Sequence, residues 1–202
     1  MFFSCSQVNP DVTTVNYSVI YDYPDNDSFP EIRLGLFADL QSDAHRAETI
    51  TAVCKSNGYR WEVSNPLKIE NSKKKYAGYT NLVMPENELF PSGSYTLIYR
   101  DASGKENSID FSLVYDRDFS ELKVPDAVPV LEKHGTCYFA VYDENGILTA
   151  YAMRESEEQD AEYIWRRYPG AQTMRPVWTT SGGNTMCILP PVKKTETPKE
   201  TE

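Results

Sequence analysis

The chain carries two histidines among its 202 residues and four cysteines. Only His134-Gly-Thr-Cys137 places an imidazole within reach of a thiol. Such a pair could do nucleophilic chemistry, the imidazole taking the proton and the thiolate attacking a carbonyl. No orienting third residue or wider motif accompanies it, so a loop histidine beside a strand cysteine is the weightier alternative. His45, in SDAHRAE, falls between strands and is expected to be exposed. Zinc needs three or four ligands, and no cluster of His and Cys supplies them, so neither a metal nor a cofactor is expected.

The acidic loops invite a calcium reading: Asp22, Asp25 and Asp27 lie in YDYPDNDSFPE, and Asp116 and Asp118 in YDRDF. The EF-hand spacing fails there, because the turn glycine and the closing bidentate glutamate are out of place. Solvated acidic loops are the better account. No phosphate-cradling glycine motif, GxSxG or paired catalytic carboxylates occur. Ser181-Gly182-Gly183 runs from strand to strand and is a turn.

Tyrosines are the remaining resource. Tyr17, Tyr21 and Tyr23 alternate along one segment, and Tyr138, Tyr142 and Tyr151 do so along another. Exposed, such a strip binds protein or glycan; turned inward, it only satisfies strand propensity. The formal net charge of -10 repels phosphate backbones, which excludes nucleic acid from the expected partners.

The elements that must position these residues are mainly strands. Fourteen tyrosines and eight phenylalanines suit a pleated, half-buried surface. Period-2 alternation or short apolar runs mark residues 16–24, 31–40, 47–56, 59–64, 76–85, 93–101 and 106–116. Asn57-Gly58 signals a type I′ hairpin turn between the third and fourth of these. The spacing resembles an immunoglobulin-like or fibronectin-III-like antiparallel β-sandwich over residues 15–116. Within it, Tyr95 in PSGSYTL resembles the tyrosine corner, Leu97 stands where antibody domains carry a cysteine, and Trp61 is a core residue.

Residues 117–135, with two prolines and a helical turn near Phe119 to Lys123, are expected to be a connector. Residues 136–190 then give a small ββαββ module. Its first hairpin turns at Asn145-Gly146. Its helix opens with a capping box at Ser156 to Gln159 and presents Ala161, Ile164, Trp165 and Tyr168 on one face. Trp165 is assigned a structural role. Cys137 and Cys187 sit at strand ends as a candidate disulfide, with two buried free thiols as the alternative. Residues 191–202 are polar enough to be a disordered tail.

Phe2-Phe3-Ser4-Cys5 resembles the end of a bacterial lipobox, and the polar residues through 14 resemble a lipoprotein tether. That resemblance implies export to the cell envelope, acylation at Cys5 and a membrane surface reached through the lipid anchor. The expected function is a non-enzymatic binding or assembly module for a protein or glycan partner. The alternatives are an envelope enzyme using His134 and Cys137, or a purely structural spacer.

Overall fold

The computed structural model describes residues 12–41, 43–71, 73–85, 88–156 and 159–195. The expected acylation site, Cys5, lies outside the described residues. The chain is mainly β and forms two compact units. The first takes residues up to 19 with 33–115; the second takes 20–32 with 116 onward. The boundary near 116 is where the strand rhythm breaks in sequence, but residues 20–32 belong with the C-terminal part. Three contacts explain this. Tyr21 Oη donates to the Asp116 carbonyl at 2.8 Å, Tyr23 Oη to the Phe119 carbonyl at 3.2 Å, and Arg175 pairs with Asp22 at 2.7 Å.

In the first unit the strands are β1 (Val12–Asp22, through residue 19), β2 (Glu31–Leu40, from residue 33), β3 (Ala47–Cys54), β4 (Arg60–Ser64), β5 (Leu67–Glu70), β6 (Lys75–Leu82), β7 (Gly93–Asp101) and β8 (Glu106–Leu113). They form two sheets, ordered β1-β2-β6-β5 and β4-β3-β7-β8. Strand β1 starts at Val12, inside the stretch expected to be tether, and β5 occupies a stretch the alternation leaves as loop. The β2–β6 register places Phe37 opposite Gly78. A Cβ at Gly78 would lie 2.3 Å from both the Leu36 carbonyl oxygen and the Phe37 ring, so this register requires glycine there.

The core of this unit is aromatic. Trp61 lies 5.6 Å from Phe90 and 6.4 Å from Tyr95 between ring centroids, and Tyr95 lies 5.5 Å from Phe111. Both polar tips are satisfied, as burial demands. Trp61 Nε1 donates to the Val83 carbonyl at 2.7 Å, and Tyr95 Oη to the Pro91 carbonyl at 2.8 Å. Burial of each such ring contributes on the order of 1.5–3 kcal/mol. The Asn57-Gly58 turn differs from type I′, which needs positive φ at both central residues. Gly58 has φ +72°, while the positive-φ residues other than glycine are Asn65 and Ser181 among the described residues. Asn57 contributes differently, its Oδ1 accepting the Tyr59 amide at 2.9 Å.

In the second unit a short 3-10 turn (Asp118–Glu121) leads into α1 (Val124–His134), β9 (Thr136–Tyr142), β10 (Leu148–Met153), α2 (Ala161–Arg167), β11 (Thr173–Thr180), β12 (Thr185–Ile188) and β13 (Val192–Lys193). The sheet order is β10-β9-β11-β12, with β13 also on β11. The expected connector is thus largely helix. Pro125 sits in the first turn, where no intrahelical donor is needed. Pro129 is inside and forfeits one bond, yet Val124, Ala127 and Leu131 bury one face. Lys133 complements the helix C-terminus.

Two further expectations are corrected. The N-cap of α2 is Asp160, whose carboxylate accepts the Tyr163 amide at 2.9 Å. Gln159 instead accepts the Glu155 amide at 2.9 Å, closing the turn before the helix. The tail is also ordered further than its polarity suggests: β13 pairs with Thr173 and Met174, and the Lys194 amide donates to Gln172 at 2.9 Å. Pro176, inside β11, points its missing donor toward the β12 side, where its carbonyl accepts the Leu189 amide at 2.9 Å; the β9 ladder is untouched. No helix among the described residues is long and apolar enough to cross a membrane.

Candidate functional site

Strand β9 has two faces with different fates. Cys137, Phe139 and Val141 are buried on one, the side that lines hollows shared with α1; Tyr138 and Tyr142 are half-buried on the other. A cavity of about 690 Å³ opens on the first face, lined by Glu132 of α1, Cys137, Trp178 of β11, and Arg154 and Glu155 after β10. Gly135 lets the chain pass this close. A Cβ there would lie 2.8 Å from the Leu131 carbonyl and 3.1 Å from the Trp178 ring.

Cys137 is poorly equipped for nucleophilic work. Burial pushes its thiol up to about 11, against a smaller downward pull from the Arg154 charge. Only about one thiol in ten thousand is then ionised at pH 7. Its sulfur lies 3.7 Å from the Tyr138 carbonyl oxygen. His134 is exposed at the end of α1, and among the described contacts none joins it to Cys137. The two residues are neighbours in sequence without forming a bonded dyad.

The candidate disulfide also gives way. Cys137 pairs across the sheet with Trp178, and Cys187 pairs with the same Trp178 from the other side, so β11 separates them. Two strand spacings, about 9–10 Å, exceed the 4.4–6.8 Å Cα separation of typical disulfides. Both are buried free thiols, as is Cys54. Burial, together with the Asp116 charge, raises the Cys187 thiol.

The six tyrosines separate into two groups. Tyr21 and Tyr23 are fully buried core residues, and burial first, then Cys187, raises the Tyr23 phenol. Tyr17 is half-buried, and its hydroxyl bonds the Val114 amide at 3.1 Å. These three therefore make no exposed strip. Tyr138 and Tyr151 do stack, at 5.1 Å between centroids and 9° between planes, with Tyr151 50% exposed. Leu148 and Met153 extend the same face, opposite Tyr142 and Tyr138, and both are about half exposed at 51%. Burial, then the neighbouring Tyr138, raises the Tyr151 phenol. Trp165 is half-buried on α2, where Ile164 is the buried anchor.

Three of the five loop acids, Asp22, Asp25 and Asp116, are occupied within the fold. Asp25 accepts the Asp27 and Ser28 amides and the Ser28 hydroxyl; Asp116 accepts the Thr180 and Ser181 hydroxyls. Three ligating side chains that the sequence did not connect do converge, Asp43, His45 and Glu70, with their ligand atoms within 4.8 Å of one another. All three are exposed, Asp43 already accepts the His45 amide, and Glu70 also faces Lys75 at 3.8 Å. Sequence could not join them, because Glu70 lies on β5, the strand that alternation misses. Compared with models of protein families, with curated proteins and with solved structures, the chain matches none.

Proposed function

We propose that this protein is a non-enzymatic binding module of a bacterial cell envelope, held to a membrane by a lipid on Cys5 and offering its β9–β10 tyrosine face to a protein or glycan. The observation that carries this reading is the solvent-facing Tyr138–Tyr151 stack, flanked by Met153 and Leu148. Rigid aromatic surface of this kind provides contact area at low entropic cost. The raised Cys137 thiol supports binding over covalent catalysis. The immunoglobulin-like assignment belongs to the same proposal. The orders β1-β2-β6-β5 and β4-β3-β7-β8 correspond to strands A-B-E-D and C′-C-F-G of that fold, and Tyr95 bonds upstream backbone as a tyrosine corner does.

The test is a glycan array and an envelope-peptide library, each probed with the full chain and with a Tyr138→Ala/Tyr151→Ala variant. A ligand captured by the first and lost by the second is expected; no ligand, or equal capture, overturns the reading. Anchoring is tested separately by mass spectrometry of the protein expressed with its native upstream sequence. A diacylglyceryl mass on Cys5 is expected, and an unmodified cytosolic chain overturns it.

A further inference from the structure

The outer strands of the sheets differ in one respect. β4 carries Arg60 and Glu62, β5 carries Lys68 and Glu70, and β8 carries Glu106 and Asp110. Charges of this kind are how proteins keep an open edge from pairing with another chain. β12, TMCI, is uncharged as well, but its outer side is taken, the Ile188 carbonyl accepting the Tyr23 amide at 2.9 Å. β10, LTAYAM, has no charge and no proline, and among the described strands it pairs only with β9.

Its open side can be assigned. The Arg154 amide donates to the Cys137 carbonyl at 2.8 Å, so in the same register Ala152 and Ala150 face β9 with their amides and carbonyls. Tyr151 and Met153 therefore direct N–H and C=O away from the sheet. An extended segment laid along β10 would meet those groups and place its own apolar side chains beside Tyr151 and Met153.

Charge decides between occupants. Glu144 on the turn before β10 and Glu155 just after it are both exposed; Arg154, the cation between Met153 and Glu155, is half-buried on the Cys137 face with its Nε donating to the Ser156 carbonyl at 3.2 Å, and the chain as a whole is at -10. Antiparallel pairing with a second copy would bring the Glu155 end of each strand toward the Glu144 turn of the other, like against like. A strand with basic flanks meets the same two acids favourably. Building on the binding-module reading above, we infer that β10 is a strand-addition site for an extended polypeptide with alternating apolar residues and Lys or Arg at its ends.

The probe is a synthetic peptide with a Thr-Val-Thr-Val-Thr core between two lysine pairs, beside the same core between two glutamate pairs, titrated calorimetrically into the full chain. Binding of the lysine peptide at least about tenfold tighter than the glutamate peptide is expected. Met153→Pro removes an outward donor and no ladder bond, so it should abolish binding, while Met153→Ala retains it. Circular dichroism checks that the proline variant is folded. Amide exchange on the unmodified chain gives a readout independent of any variant: saturating lysine peptide should slow Tyr151 and Met153 at least about tenfold. Unchanged exchange at these two amides overturns the inference, as does wild-type affinity in folded Met153→Pro. A dimer that Met153→Pro dissolves assigns the edge to a second copy and also overturns it. Glycan capture lost in Tyr138→Ala/Tyr151→Ala but kept in Met153→Pro overturns strand addition and leaves the binding-module reading standing. Failure of that reading is distinct: no ligand is captured on either array.

Discussion

The two hairpins that turn at Asn-Gly, β3–β4 and β9–β10, use the same local chemistry and end in opposite environments. In both, glycine takes the positive φ, +72° at Gly58 and +74° at Gly146, and a polar side chain accepts amides across the turn. In the first, the outer strand buries Trp61 against Phe90 and Tyr95, and its exposed Arg60 and Glu62 pair with each other at 2.7 Å. In the second, the outer strand leaves Tyr151 and Met153 half exposed and carries no charge. A turn motif thus determines that two strands pair, while burial of the outer strand depends on what the rest of the unit brings to it.

The contrast is broken most strongly at Trp61. Trp61→Ala removes a packed ring and orphans the Val83 carbonyl, and should cost about 3–5 kcal/mol, whereas Tyr151→Ala should stay within about 0.5 kcal/mol. Chemical denaturation of both variants measures the difference. The buried face of the second hairpin gives the next effect. Cys137, at about 11, should alkylate at pH 7.5 a few hundredfold more slowly in the folded chain than in the unfolded one, where its pKa is about 8.5. The fold favours the protonated thiol. That contribution is whole below about pH 8.5 and is lost as pH rises through about 11.

Asp101, opposite Ala47 at the other end of the first hairpin's sheet, tests the reverse sign. Burial alone would raise its carboxyl, but hydrogen bonds from Ser103 and Lys105 and the Arg46 charge outweigh it and hold the group below the usual range. Its stabilisation is present above the unfolded carboxylate value near 4 and is lost as pH falls through the lower folded value. Asp101→Asn should cost about 1–3 kcal/mol at pH 7 and flatten the acid limb of a stability-versus-pH curve. The smallest effect sharpens the comparison. Gly58→Ala and Gly146→Ala meet no atom within 4 Å, so each should cost only the left-handed backbone penalty, about 1 kcal/mol. Equal losses confirm that the turns are alike and the outer strands are not.

Much of the strand content was legible because apolar residues alternate wherever one face is buried, as along Tyr95, Leu97 and Tyr99. Strand β5 was not, since Leu67 and Ile69 remain 48% and 47% exposed and four residues at an edge carry little pattern. Helix α1 was hidden by Pro125 and Pro129, although Val124, Ala127 and Leu131 kept helical spacing. The tyrosines mark the limit more sharply. Alternation identifies which side chains share a face, but only tertiary packing decides that Tyr21 and Tyr23 go inward while Tyr138 and Tyr151 stay outward. The Asp43, His45 and Glu70 convergence was out of reach for a similar reason, because it depends on which strand returns beside which loop.

The uncharged outer strand has a consequence for how the molecule behaves in bulk. At neutral pH copies repel one another through a net charge of -10, and that repulsion vanishes near the isoelectric point of about 4.8. In mildly acidic buffer, or under salt that screens the same repulsion, clouding of a concentrated solution is expected to begin at LTAYAM.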